Sequence, residues 1–347
     1  MECICKDERE INIAMKKEND TVNIMKLVLS LVIVAIHTQL LNGKIYPFAR
    51  IAVPLFFMIS SWFFFEKYEQ NEKALKIYMK RNLELYLFWF VILFPVTYLS
   101  RDYFQEGIGS GFLRILKGFL FGSTFLASWY IMASVIAVFV ICILDKKLDN
   151  KCLFGISMIL YLFCLLTSNY EFLISNSQVG KVLLGIVDKF GKPYNNFCVG
   201  IFWMTVGKIL VDNKQEIFRR VNKHRRIWLC IVLFLLWGEE VLIERYVGNV
   251  IDNDCYIMLL PVCILIFIMA MESSVSFPDT KRMRQLSTII YCSHLSIVVV
   301  LRRIFTYMDI VDKYHVLLFL SSVVVTVFGG WLILSLEKKI IILKYAF

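Results

Sequence analysis

The sequence predicts an all-α fold, a polytopic transmembrane helical bundle of about ten spans. Three observations carry this. The 347 residues are 59% hydrophobic with a mean hydropathy of +0.67, against roughly 45–50% apolar residues in a soluble domain. The excess lies in continuous blocks of about 17–20 residues, the length a helix needs to cross a hydrocarbon core. The blocks are unbroken rather than alternating, which argues against a β-barrel. Finally, Lys and Arg collect in every second connecting segment, the pattern of a chain threading back and forth through a bilayer.

Taken in order, residues 1–22 form a polar tail. It has no apolar core followed by a small-residue cleavage site, so the first apolar block is expected to remain as a helix. The ten blocks are 23–41, 48–65, 83–100, 128–144, 152–168, 197–211, 227–244, 256–271, 286–305 and 315–334. They make one transmembrane domain over 23–335, followed by a short tail at 336–347. The first tail and the segments EKYEQNEKALKIYMKR, DKKLDNK, VDNKQEIFRRVNKHRR, ESSVSFPDTKRMRQ and SLEKKIIILKYAF hold about two-thirds of the 38 Lys and Arg. Alternate segments share one side, and the positive-inside rule makes that side the cytoplasm, with both termini inside. Two outer segments are long. Residues 101–127 mix Gly with a short apolar stretch, as a re-entrant or interfacial piece does. Residues 169–196 are polar and read as an outer lid or loop.

The net charge of +10 follows from the positive-inside bias and from contact with anionic lipid, not from a nucleic-acid partner. Most of the ten cysteines lie inside apolar blocks, where Cys acts as a small hydrophobe. Cys3 and Cys5 form a C-x-C in the tail, too little for a metal site. No disulfide framework, zinc motif, phosphate loop or serine elbow appears. The oligomeric state is left open.

Ionisable groups inside a membrane are costly and mark functional positions. The sharpest is His37, in LSLVIVAIHTQLL. Lys26 precedes it by eleven residues, which on a helix returns to within about 20° of the same face, roughly 16 Å away along the axis. Ser30 shares that face. The topology sets Arg50, Trp129, Tyr130 and the pair Glu239–Glu240 at the same outer level, with Arg302 and Arg303 closing the ninth span. Trp and Tyr at span ends are also ordinary interface anchors. His294, in IIYCSHLSIVV, stands near mid-membrane, where an interhelical hydrogen bond is the alternative to a functional role. Lys80 and Arg81 open the third span on the cytoplasmic side.

Five segments, NIMKLVLSLVIVAIHT, ARIAVPLFFMISSWFF, YMKRNLELYLFWF, ASWYIMASVIAVF and IIYCSHLSIVV, resemble in order successive signatures of the acyltransferase 3 family. These are integral membrane O-acyltransferases of about ten spans. The first segments are most similar to the Gram-positive branch, which includes the membrane domain of vancomycin-resistance serine racemases. The family pattern of a basic residue, ten residues and a catalytic histidine falls on Lys26 and His37. Of two arginines usual in the third span, Arg81 matches the first, and Glu84 stands in place of the second.

The resemblance implies transfer of an acyl group, usually acetyl, from cytoplasmic acyl-CoA to a hydroxyl of an exported or cell-envelope carbohydrate, at a bacterial plasma membrane and without a metal. His37 would be the general base or would carry the acyl group itself. Glu239 or Glu240 would orient its ring. Arg50 would face the oxyanion. Lys26, Lys80 and Arg81 would receive the phosphates of acyl-CoA. Ser30, Trp129, Tyr130 and His294 would line the acceptor cavity. A transporter of a small polar solute such as serine is the competing reading, with the same groups as binding or proton-relay sites.

Overall fold

Each of the ten apolar blocks folds as helix, because hydrocarbon leaves the backbone no partners but its own. The computed structural model describes residues 19–101, 104, 107–121, 123–219, 224–247, 254–273, 275–309 and 315–347. Cys3 and Cys5 lie outside the described residues. The helices are α1 (Asp20–His37), α2 (Ala52–Tyr68), α3 (Lys73–Arg101), α4 (Ile108–Phe121), α5 (Trp129–Asp145), α6 (Asn150–Leu166), α7 (Gln178–Phe190), α8 (Phe197–Asp212), α9 (Arg225–Val247), α10 (Leu259–Glu272), α11 (Thr280–Tyr307) and α12 (His315–Leu336). No strand occurs among the described residues. By length and composition five segments can cross a membrane, namely α1, the Gly43–Tyr68 segment ending in α2, α3, α11 and α12. The helices α5, α6 and α10 are apolar but shorter.

At the centre runs α8, buried along nearly its whole length between α2, α5 and α6. Glycine makes this possible. A Cβ on Gly207 would lie 2.8 Å from the Met58 carbonyl oxygen of α2, so only Gly permits that approach. Ser61 of α2 seals the contact by donating to the Met204 carbonyl at 2.5 Å. One residue further along α8, Lys208 is buried between Asp145 at 2.8 Å and Asp212 at 2.6 Å.

The helices α1 and α11 lie side by side and run parallel. Their starts are tied by Thr280 Oγ1 donating to Asp20 Oδ1 at 2.5 Å and by Phe277 N donating to Asp20 Oδ2 at 3.1 Å, while Thr21 Oγ1 bonds Ser273 Oγ at the end of α10 at 2.9 Å. Further along, Ser287 Oγ donates to the Lys26 carbonyl at 2.8 Å. These polar bonds fix the register, which brings His37 level with the second half of α11.

Four elements differ from the sequence expectation. The first block was expected to stay helical to Leu41, but α1 stops at His37. Thr38 turns its hydroxyl onto the Val34 and Ala35 carbonyls. Gln39 takes a left-handed φ of 60°, and Leu40 N bonds back to the Ala35 carbonyl. This is a Schellman stop with Gln where Gly is usual. The third helix begins ten residues earlier than its apolar block, at Lys73, and carries Pro95 inside it. Residues 169–196 are not simply loop. They contain α7, capped by Ser177 accepting from Gly180 N at 2.9 Å and ended by Gly191 at φ 92°. Its apolar stripe of Val179, Val182, Ile186 and Phe190 is exposed. The tail 336–347 is packed rather than free, since Ala346 is fully buried and its carbonyl accepts from Trp89 Nε1 at 3.0 Å.

Candidate active site

The site forms where α1 ends. His37 is the last residue of α1, and its ring meets that of His294, from the middle of α11, with centroids 5.1 Å apart and planes inclined at 37°. His294 is fully buried. Its Nδ1 lies 2.6 Å from the Tyr291 carbonyl oxygen, and its Nε2 is buried without a hydrogen-bond partner among the described residues. On the other flank, Arg302 Nη2 donates to the His37 carbonyl at 3.2 Å, a cation at a helix C-terminus. His315 Nδ1 lies 3.1 Å from the next carbonyl, of Thr38. Arg50 and Arg302 are both within electrostatic reach of the His37 ring.

From this pair an aromatic wall runs inward. Tyr291 lies 5.9 Å from His294 and 5.3 Å from Tyr130, and Tyr130 stacks at a tilt against Phe57 at 4.4 Å. The Tyr130 hydroxyl bonds Ser60 Oγ at 2.9 Å. Tyr130 reaches this depth because residues 123–128, just before α5, are non-helical and buried. Buried irregular backbone must find its partners in the protein. It finds them in the Ser128 and Ser123 hydroxyls, which accept from Phe125 N and Trp129 N at 3.3 and 3.2 Å. Tyr86 bonds Thr124, and Tyr291 donates to the Ala127 carbonyl at 2.9 Å. Ala127 pays for this with a φ of 64°, a conformation costing roughly 1–2 kcal/mol for a residue with a Cβ. The expected re-entrant segment at 101–127 thus ends in buried backbone beside the histidines.

Beside this wall is a cleft lined by Ile36, Arg50, Trp129, Asn195, Asp254 and Cys255, among others. Its volume of ≈ 30 Å³ holds a water or two, not a sugar. Arg50 is paired with Asp254, and its guanidinium sits 4.6 Å over the Tyr46 ring. Burial pushes the Cys255 thiol up to about 12, which keeps it protonated and unreactive.

The remaining expected residues fall elsewhere. Glu239 and Glu240 do not hold His37. Glu239 accepts from the Tyr170 hydroxyl, from Ile257 N at 2.6 Å and from Met258 N at 2.9 Å. Glu240 accepts from the Tyr256 hydroxyl at 2.7 Å. Together they anchor residues 254–258 to α9. Burial, and then the neighbouring Glu239 carboxylate, hold the Tyr170 phenol well above its usual range, so it remains a donor. Ser30 is buried with its hydroxyl on the Leu27 carbonyl at 2.7 Å, within its own helix. Lys26 Nζ lies 5.8 Å from the Phe63 ring centroid. Lys80 faces Glu84 at 3.8 Å on an open surface. Arg81 is within electrostatic reach of Arg284 and Tyr78, and Tyr78 in turn bonds Ser134. Sequence reasoning passed over Ser60, Tyr291, Asp254 and Arg284. Only Asp254 carried a signal of its own, a carboxylate at the edge of an apolar block.

Comparison with known proteins agrees with this architecture. The acyltransferase domain family matches residues 19–335. The chain belongs to the acyltransferase 3 family. Both histidines of the pair lie inside the matched region. The chain is also similar to two proteins of Enterococcus faecalis, each described as an amino-acid racemase. One is 25% identical over 95% of this chain and 48% of its own length. The other is 24% identical over 69% of this chain and 34% of its own length. The chain therefore spans at most about half the length of these relatives. No solved structure matches it significantly.

Proposed function

We propose that this protein is an O-acyltransferase of the bacterial plasma membrane. It moves an acyl group, usually acetyl, from cytoplasmic acyl-CoA to a hydroxyl of an exported or cell-envelope carbohydrate. The observation that carries this reading is the meeting of His37 with His294 at the head of a hydroxyl-bearing wall inside an acyltransferase fold. Acyl transfer to an alcohol needs a base whose pKa lies near neutrality, placed where water is scarce, and imidazole suits it.

In this reading the ten helical blocks all cross the bilayer, with both termini inside. Lys26, Lys80 and Arg81, joined by Arg284, receive the phosphates of the donor at the cytoplasmic mouth. From there Arg81, Tyr78, Tyr130, Tyr291 and His294 form a continuous line of neighbours to His37. His37 takes the hydroxyl proton as the oxygen attacks the thioester carbonyl. The C–S bond then breaks, and the thiolate leaves with the proton that His37 returns. The positive field of Arg50 and Arg302 favours the oxyanion. The cleft bounded by the Arg50–Asp254 pair is the acceptor's entrance, and it must widen to admit a sugar.

A second reading is a carrier for a small polar solute such as serine, with the same intramembrane ionisable groups as binding or relay sites. One experiment separates the two. Cells with the wild type, with His37→Ala and without the protein are compared for O-acetylation of envelope carbohydrate and for uptake of labelled serine. Acetylation present only with the wild type is the expected result. Equal acetylation in all three, with uptake lost in the variant, favours the carrier.

A further inference from the structure

We propose that His294 is the positioning residue of His37. Its open Nε2 takes up a hydrogen bond from the His37 ring when that ring turns towards it, the part a carboxylate plays beside a histidine base. The inference rests on the acyl-transfer reading for its catalytic consequence but not for its geometry.

Three observations carry it. The first is the tautomer of His294. Nδ1 lies 2.6 Å from the Tyr291 carbonyl oxygen. A carbonyl can only accept, so that nitrogen bears the proton, and in the neutral ring Nε2 is left as an acceptor. The second is that this acceptor is buried and has no donor among the described residues. A buried orphan acceptor is costly, and a native fold keeps one where a partner or a reaction uses it. The third is distance. The His37 ring centroid is 5.1 Å away; two imidazoles joined through an N–H···N bond of about 2.9 Å have centroids about 5 Å apart, so a turn of the His37 ring in place brings a nitrogen onto Nε2 without moving either helix. Among the described residues no carboxylate bonds the His37 ring, and Glu239 and Glu240 are committed to Tyr170, Tyr256 and the backbone of 257–258.

The consequence is a division of labour. His37 donates one ring N–H to His294, which leaves the lone pair of its other nitrogen for the acceptor hydroxyl. When His37 takes that proton, the neutral His294 still accepts, so the imidazolium is held without a buried carboxylate. The Tyr291 carbonyl locks the second ring, and the Tyr291 hydroxyl is itself locked on Ala127.

The test begins with the wild-type protein, labelled with 15N-histidine and reconstituted in lipid bilayers. The sequence has only four histidines, so each is assignable by single substitution. The expected spectrum shows His294 protonated on Nδ1 alone, with a through-bond 15N–15N coupling to His37. A His294 protonated on Nε2, or no coupling, overturns the proposal. Kinetics form the second arm. His294→Leu is expected to lower kcat about 100-fold or more with KM within about threefold. His294→Gln, which offers a carbonyl oxygen as acceptor, is expected to recover at least about tenfold of that loss. Unchanged kcat in His294→Leu, or no recovery in His294→Gln at equal folded yield, overturns it as well. Should the leucine variant fail to fold, the wild-type spectrum decides. A spectrum as expected together with a fully active His37→Ala would leave the pair standing and remove the acyl-transfer role of His37.

Discussion

Two polar clusters sit near the ends of α1 and α9, and they are satisfied to very different degrees. In the carboxylate cluster, both oxygens of Glu239 are occupied, by Tyr170, Ile257 N and Met258 N, and Glu240 holds Tyr256. In the histidine cluster, a fully buried ring keeps one nitrogen without a partner among the described residues. The carboxylates have finished their work once the chain is folded. The histidine pair leaves a nitrogen open, and the proposed reaction would use it. Charge and burial alone rank the glutamates as the better candidates. The list of partners reverses that ranking.

The contrast can be broken at several points. The largest effect is expected at His37. Replacement by Ala should cut acyl transfer by about 1,000-fold, since a positioned base contributes roughly 10²–10⁴. The thermal midpoint in detergent should stay within a few degrees. A variant that keeps a tenth of the turnover would place the chemistry elsewhere.

Glu239→Ala should act the opposite way. It strands the Tyr170 hydroxyl and two backbone N–H groups, at a cost of about 2–4 kcal/mol in stability. The turnover of the folded fraction should change by less than about threefold. Activity lost at unchanged stability would move Glu239 back among the catalytic groups. Tyr291→Phe is a smaller intervention, since it keeps the ring and the carbonyl that holds His294. It removes the hydroxyl that serves the Ala127 carbonyl and the Tyr130 N–H, so denaturation should register a loss of about 1–2 kcal/mol. The smallest effect is a gain. Gln39→Gly relieves the left-handed stop of α1 and should add roughly 0.5–1 kcal/mol. A loss of stability there would show that the Gln39 side chain has a contact of its own to keep.

How much of this was legible beforehand differs by level. The helices were, because a membrane-length apolar block leaves the backbone one local solution, and all ten blocks are helical. The exception is instructive. The amphipathic helix α7 falls in a stretch read as an outer lid or loop, because its polar residues dilute the apolar average, while its stripe of Val179, Val182, Ile186 and Phe190 keeps the helical period. At the site, Lys26, Ser30 and His37 do lie on one helical face by phase. Yet Ser30 spends its hydroxyl on the Leu27 carbonyl. Periodicity gives direction, not the hydrogen bond a side chain takes.

By itself, then, the sequence determined the class of the molecule, a helical membrane protein of one family, and singled out His37 as an ionisable ring in an apolar helix. Those are properties of short stretches, decided by hydropathy and helical phase within about twenty residues. Only the tertiary structure decided that His37 faces His294 and not a glutamate, and that Arg50 is paired with Asp254. It also placed Tyr130 beside the site on buried irregular backbone. These depend on the register between α1 and α11, set by Ser287 on Lys26 and Thr280 on Asp20. Contacts between distant segments come from packing, and no local pattern encodes them.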